Sequence, residues 1–323
     1  MAKADPIESA LDRLGELRHE ALGPQVIEEL RKALRNRSNL VVAKAAKVVR
    51  GLRATELIPE MVAAYERLMA DAPKLDKRCA AVTELATALY ELDYVEPEPY
   101  LRGLKHVQME GSYGPPVDEG AKLRAVSAQG LLRTRYPDAL AEVVPLLVDR
   151  EPAAREGAVR ALAVNGGGAG ALLLRLKVLT GDEEVAVIAE CFAGLLGAGE
   201  KAVGFVAKYV DDDDEAVAEA AMLALGESRL LAAYEMLKEK WERTVSQSVR
   251  KVLLAAMAAS RLDEAVAFLV SIVEDGGVSM AGDALEALSI YRSNERVVAA
   301  VRRAVEGRKD KGLGEQFRRE FGG

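Results

Sequence analysis

Small and apolar residues recur along the second half of the chain with a step of 31 or 32 residues. Each copy has an apolar residue, a second residue that is often arginine, and small or apolar residues three, six and seven positions after the second one. This spacing places the recurring side chains of each copy along one face of an α-helix. The second positions of the six copies are Arg124, Arg155, Ala186, Ala218, Arg250 and Ala281.

Another apolar segment and a polar break precede each of these helices. In the copy that contains Arg155, residues 138–148 predict a first helix and Asp149 begins the break. Pro152 suits the first turn of a second helix, and the glycines at 166–168 suit its end. A pair of helices repeated at a fixed step predicts an all-α fold, an α-solenoid of about eight stacked repeats.

The organisation along the chain follows from where the pattern is strong and where it decays. The second helices are apolar nearly all round, so neighbouring repeats must cover them and we expect a single solenoid domain over residues 1–323. We also expect residues 295–306 to form the first helix of an incomplete last repeat. The predicted segments are an N-terminal cap helix in 1–24, two divergent repeats in 25–92, a repeat with an inserted loop in 93–135, five regular repeats in 136–291 and a C-terminal cap in 292–323.

Composition narrows the chemistry. The chain is 50% hydrophobic but only 5% aromatic, and its net charge of −7 is unlike that of a general nucleic-acid binder. Its two cysteines, Cys79 and Cys191, lie in apolar helical stretches and are predicted to be buried free thiols. No spacing of histidine and cysteine fits a metal site, so we expect no metal and no cofactor. The lack of a long apolar run predicts no membrane segment and a cytoplasmic protein.

One interval breaks the regular step. From Arg78 to Arg124 is 46 residues, and the excess is concentrated in an insertion at residues 106–120. Insertions in a solenoid map to surface loops, often on the binding face. Two interpretations stay open: a tolerated spacer, or a binding loop whose contacts are His106, Glu110 and Tyr113 together with Arg124. Catalysis by His106 is disfavoured because no serine, cysteine or second histidine is placed to complete a nucleophilic set.

Two further groups of residues are candidates for binding. If the second motif residue points into the stack, residues one, five and eight positions beyond it lie on the inner face, which places Gln129 and Arg160 there. In the first repeat, Lys44, Lys47 and Arg50 are three apart on a second helix and form one basic ridge. The ridge could meet a phosphate backbone or an acidic partner, or it could be a solvated face of an end repeat.

The two-helix unit, with its apolar-arginine pair, small residues on the inner helix and acids in the turn between the helices, resembles HEAT repeats. The short step is most similar to the HEAT-like class also found in phycobilin lyases. The resemblance is strong over residues 120–291 and weak over 25–92. It implies a right-handed superhelix whose second helices line a concave face that holds partners.

We therefore predict a non-enzymatic scaffold that binds a protein or peptide through its concave face and the 106–120 insertion. The alternative is a helical-repeat enzyme or a small-molecule chaperone, either lyase-like or related to nucleic-acid repair. The sequence lacks the His–Glu pairs of the di-iron hydroxylases built on HEAT repeats, and the basic aromatic groove of helical-repeat glycosylases. Nucleic acid is a disfavoured partner, and the oligomeric state is left open.

Overall fold

Helices follow one another throughout the chain, interrupted by one short β-hairpin. The computed structural model describes residues 6–111, 114–308 and 310–322. The fold is all-α and built from stacked helical pairs, as predicted. The helices are α1 (Pro6–Leu17), α2 (Pro24–Leu34), α3 (Asn39–Leu52), α4 (Ile58–Met69), α5 (Ala72–Leu75), α6 (Ala80–Glu91), α7 (Glu98–Leu104), α8 (Ala121–Arg133), α9 (Ala139–Val143), α10 (Pro152–Asn165), α11 (Gly167–Thr180), α12 (Val185–Gly197), α13 (Val203–Val206), α14 (Glu215–Glu227), α15 (Leu231–Arg243), α16 (Gln247–Ala259), α17 (Asp263–Asp275), α18 (Val278–Leu288), α19 (Glu295–Arg308) and α20 (Lys311–Phe321), and the strands are β1 (Met109–Glu110) and β2 (Val117–Asp118).

Two compact units are distinguished by their internal contacts, Met1–Leu173 and Leu174–Gly323. In the first unit the second helices α3, α6, α8 and α10 pack one on the next, and α1 packs on α3. Small residues allow this close stacking: a Cβ on Gly157 of α10 would overlap Ala125 of α8. The first helices α2, α4, α7 and α9 form the other layer. The boundary between the units falls inside α11, and a single continuous domain stays a prediction.

In the second unit α12, α14, α16 and α18 stack in the same way. A Cβ on Gly226 of α14 would overlap the backbone carbonyl of Ala256 in α16, so the two helix backbones are in direct contact. Alanine and glycine therefore replace the bulky core residues of other folds, which explains how a chain with 5% aromatic residues packs its interior.

Arginines join the ends of equivalent helices in neighbouring repeats. Arg67 of α4 donates to the carbonyl oxygens of Leu34 and Asn36 at the end of α2, at 3.1 and 3.2 Å. Arg102 of α7 donates in the same way to Met69 O at the end of α4, at 2.7 Å. The last carbonyls of a helix have no partner within it, so each arginine satisfies them and adds a favourable charge at the negative helix end.

The end of the chain differs from the prediction. The segment expected to be the first helix of an incomplete repeat is α19, but a second helix, α20, follows and packs on both α18 and α19. Asp310 caps α20 by accepting from Leu313 N at 3.0 Å, and the Leu313 side chain is buried. The last helical pair is thus complete in the described residues. None of the described helices combines the length and apolar character needed to cross a bilayer.

Candidate functional site

The insertion folds as a β-hairpin between the two helices of the third repeat. The first helix, α7, ends at Leu104, and strands β1 and β2 then pair antiparallel with Met109 opposite Asp118. The second helix, α8, begins at Ala121. Tyr113, a predicted contact, lies outside the described residues.

The regular repeat resumes at Asp118. In ordinary repeats the turn between the helices carries an acidic or amide residue whose side chain accepts from the N–H two residues later, as Asp149 does from Glu151 N at 2.9 Å. Asp118 makes the same turn with Gly120 N at 2.9 Å and also accepts from Gln108 N at 2.9 Å. The hairpin is therefore inserted immediately before a turn that has the same hydrogen bond as the turns of the ordinary repeats.

Arg124 links the turns of two successive repeats. Its Nη1 donates to Asp118 Oδ2 and to the carbonyl oxygen of His106, both at 2.8 Å. Its Nε and Nη2 donate to the two carboxylate oxygens of Asp149, also at 2.8 Å. The residue is only 3% exposed. Arg124, predicted as a partner contact, instead anchors the base of the hairpin, because its guanidinium is buried and held by two carboxylates.

Electrostatics support the charged form of this cluster. Burial raises the pKa of the Asp118 carboxyl, but the hydrogen bonds from the N–H groups of Gln108 and Gly120 and the charge of Arg124 outweigh it, so this pKa lies below its ordinary value. Burial likewise opposes the charge of Arg124, and its bonds to Asp149 and Asp118 outweigh that effect and raise its pKa. Asp118 and Arg124 thus each stabilise the charged form of the other.

The lowered pKa of Asp118 predicts a specific acid sensitivity. A carboxyl whose pKa is lower in the folded state adds stability that is complete above its ordinary pKa of about 4 and is lost as the pH falls through the lower folded value. Urea unfolding measured from pH 6 down to pH 2.5 should show this loss. In Asp118→Asn the dependence should be shallower, because one titrating group is removed. An unchanged pH profile in that variant would contradict the network described above.

Gln108 organises the two other predicted residues of the insertion. Its buried side-chain amide donates to Asp76 O at 2.9 Å and to Glu110 Oε1, and its Oε1 lies 3.0 Å from His106 Nε2. Glu110 also accepts from Arg78 N at 2.9 Å. Partial burial raises the pKa of Glu110, but these hydrogen bonds outweigh it and lower the pKa overall. His106 and Glu110 are half-buried and contribute to the internal support of the hairpin.

The backbone beside the hairpin is strained. Arg78 and Cys79 both have positive φ, 62° and 51°, which is a costly conformation for two consecutive residues other than glycine. Asp76, wholly buried, holds the segment because its carboxylate accepts from Ala81 N at 3.0 Å and Val82 N at 2.7 Å in the first turn of α6. The Arg78 side chain itself is exposed.

A groove of about 840 Å³ lies on the second-helix face of the first unit, where residues of α3, α6 and α8 line it, and extends to α1. We name it the hairpin groove, because Arg78 and Glu119 from the strained segment and the insertion form one wall. Its apolar part is Leu11, Leu40, Ala43 and Ala80; its cations are Lys44, Lys47, Arg78 and Lys122; and its carboxylates are Asp12, Glu84 and Glu119.

The three residues of the predicted basic ridge have different surroundings in this structure. Lys47 lies 3.1 Å from the carboxylate of Glu84, and Arg50 lies 3.2 Å from that of Glu91, so α6 neutralises both. Lys44 forms no ion pair with the described residues and lines the hairpin groove. The ridge is therefore an alternation of charges, and one of its members belongs to the groove.

The two predicted inner-face residues lie on the surface of α8 and α10 and do not line the groove. Gln129 is half-buried, while Arg160 is exposed and donates to Glu156 at 2.9 Å. The same position in α12 is Cys191, which is wholly buried. The position five residues beyond the second motif residue, which was predicted to face inward, is thus accessible in the third and fourth repeats and buried in the core in the fifth.

The sequence interpretation missed Arg78, Glu119 and Lys122 as groove residues and Asp118 as the partner of Arg124. A signal for the last was present: Asp118 precedes Arg124 by six residues, as Asp149 precedes Arg155. No comparable signal marks Arg78, because a positive φ at a residue other than glycine leaves no trace in the pattern.

The described residues contain no group of three or more His, Cys, Asp or Glu side chains that could hold a metal ion. Cys79 and Cys191 are buried free thiols, as predicted. Burial raises the pKa of each to about 12, so both are protonated at neutral pH and lack the thiolate that nucleophilic chemistry requires.

Comparison with known proteins finds distant likenesses among solved structures. No family model matches the chain, and no curated protein matches it. Similar solved structures include the CpcE and CpcF complex of phycocyanin lyase from Nostoc sp. PCC7120, at 17% identity and a TM-score of 0.37, covering 74% of this chain and 94% of that one. Human deoxyhypusine hydroxylase is similar at 17% identity and a TM-score of 0.28, covering 90% and 92%.

A third similar structure is the Pds5–Scc1 complex, at 12% identity and a TM-score of 0.35, covering 95% of this chain and 72% of that one. Such distant likenesses carry no functional argument, and the class of this protein, an all-α helical-repeat protein, follows from its own stacked helical pairs.

Proposed function

We propose that the protein is a non-enzymatic scaffold that binds a protein partner in the hairpin groove. The observation that carries the proposal is the groove itself: an open concavity on the second-helix face, walled by an insertion that departs from the regular repeat. Its volume of about 840 Å³ is within the range that accommodates several side chains of a bound segment.

The internal support of the hairpin favours a binding role over a spacer. A spacer loop needs no fixed geometry, whereas this one is held by the buried Arg124 and by the Gln108 side chain. A rigid wall loses little conformational entropy when a partner binds, so it adds affinity that a flexible loop would not. The preferred partner is a protein or peptide, because the groove combines exposed apolar area, including Leu40 at 54% exposure, with charged groups.

Filling the groove should abolish partner capture. In Ala43→Trp a large uncharged side chain enters the groove from α3, so we expect recovery of protein partners to fall about tenfold or more relative to the unaltered protein. The measurement is affinity capture of the full chain with quantitative mass spectrometry, repeated for both proteins.

Ala63→Trp is the matched control, since Ala63 is exposed on the first helix α4 and does not line the groove. It makes the same chemical change on a helix of the same unit and should leave capture unchanged. Far-UV circular dichroism verifies that both variants are folded. Equal loss, or no loss, in the two variants contradicts the assignment of the groove.

A further inference from the structure

The charges in the hairpin groove are not balanced. Two of its carboxylates are engaged by two of its cations: Glu84 lies 3.1 Å from Lys47, and Glu119 lies 3.6 Å from Arg78. The two remaining cations, Lys44 and Lys122, form no ion pair with the described residues. They face only one further carboxylate, Asp12 of α1. The groove therefore carries a local positive excess in a chain whose net charge is −7.

A local excess of positive charge on a protein with a negative net charge affects which partners it attracts. The acidic surface repels anionic partners in general, so an anionic segment gains attraction only where the local field is positive. Lys44 lies on α3 and Lys122 on α8, so the two cations come from different repeats and are brought to one groove by stacking. A bound chain that extends across α3, α6 and α8 would meet both of them.

The rest of the lining indicates what kind of anion fits. Nucleic acid needs cations that follow a backbone and flat rings on which bases stack, but no aromatic side chain is among the described residues of the groove. The ridge that could have continued the positive field is neutralised at Lys47 and Arg50 by α6. Leu40 and Leu11 instead offer apolar contact between the cations.

We infer that the hairpin groove recognises an acidic peptide segment with interspersed apolar side chains, its carboxylates paired with Lys44 and Lys122 and its apolar residues against Leu40. The inference rests on the proposed function and adds the chemical class of the partner. The two existing ion pairs engage Glu84 and Glu119, so the two free lysines provide the selectivity for negative charge.

Selection from a random dodecapeptide phage library tests this inference. Peptides enriched on the full chain should carry an excess of Asp and Glu together with Leu, Ile, Val or Phe. The best of them, synthesised with a fluorescent label, should bind in an anisotropy titration more weakly at 300 mM than at 50 mM NaCl. The double variant Lys44→Glu, Lys122→Glu should weaken binding by about tenfold or more.

The matched control is Lys201→Glu, Lys208→Glu, which makes the same change in net charge at two exposed lysines outside the groove. It should alter the dissociation constant by less than about twofold. Acidic peptides that bind both double variants equally overturn the inference, as does a library that yields no enriched peptide. Neutral or basic peptides that bind in the groove, or a 20-nucleotide single-stranded DNA that does so, also overturn it. In those cases the Ala43→Trp capture experiment decides separately whether the groove binds a protein at all.

Discussion

Replacing Arg124 with methionine should lower the free energy of unfolding by about 3–5 kcal/mol, because it removes one member of a buried ionic cluster and leaves Asp118 and Asp149 without their counter-charge. The side chains of the two aspartates are only 7% and 14% exposed, so water cannot replace the lost donors fully. Urea unfolding followed by circular dichroism at 222 nm measures the change. Amide hydrogen exchange in residues 106–111 should also become faster, since Arg124 holds the His106 carbonyl at the base of the hairpin.

Two variants separate the ionic cluster from a general effect of losing an arginine. Arg135→Met makes the same change at an exposed residue just beyond α8 and should leave the unfolding midpoint nearly unchanged. Adding Asp118→Asn and Asp149→Asn to Arg124→Met removes the uncompensated charges while keeping the amide oxygens that close the turns, so part of the stability should return. An equal shift in Arg124→Met and Arg135→Met contradicts a structural role for the cluster.

The regular part of the fold could be predicted from the sequence because it depends on local spacing. The second helix expected to begin at Pro152 and to end near the glycines at 166–168 is α10, Pro152–Asn165. The fixed step also located the insertion, since a 46-residue interval stands out against a step of 31 or 32.

The candidate site was less predictable because its contacts join residues from different repeats. Lys44, Lys47 and Arg50 were correctly placed on one helix, but the acids that neutralise two of them come from α6, more than 35 residues later in the chain. Their pairing depends on how far one helix slides along the next, which hydrophobic periodicity does not specify. The role of Arg124 was unpredictable for the same reason. Its place in the motif shows that the position recurs in each repeat, but not that the turns of two repeats contribute the carboxylates that bind it.

Replacing Asp76 with alanine should cost about as much as the loss of Arg124, for a different reason. Asp76 is 0% exposed, and its carboxylate accepts from two buried donors, Ala81 N and Val82 N, and also from the half-buried Asn39 Nδ2 at 2.9 Å. Each buried donor left unsatisfied costs about 1–3 kcal/mol, so we expect about 3–5 kcal/mol in all. The strained backbone at Arg78 and Cys79 would then lack the group that holds it.

Asp214→Ala is the control, because Asp214 also caps a second helix but is exposed and accepts only from Ala216 N at 2.9 Å. Loss of an exposed cap costs about 1 kcal/mol. In urea, Asp76→Ala should therefore be much less stable than Asp214→Ala. Asp76→Asn should have an intermediate stability, because the amide keeps one acceptor oxygen. Hydrogen exchange should rise in the hairpin only for the Asp76 variants, since Gln108 bonds to the Asp76 carbonyl and Glu110 to the Arg78 N–H. If the two alanine variants unfold at the same urea concentration, the buried carboxylate does not support the groove wall, and the rigidity that favours partner binding there must come from Arg124 and Gln108.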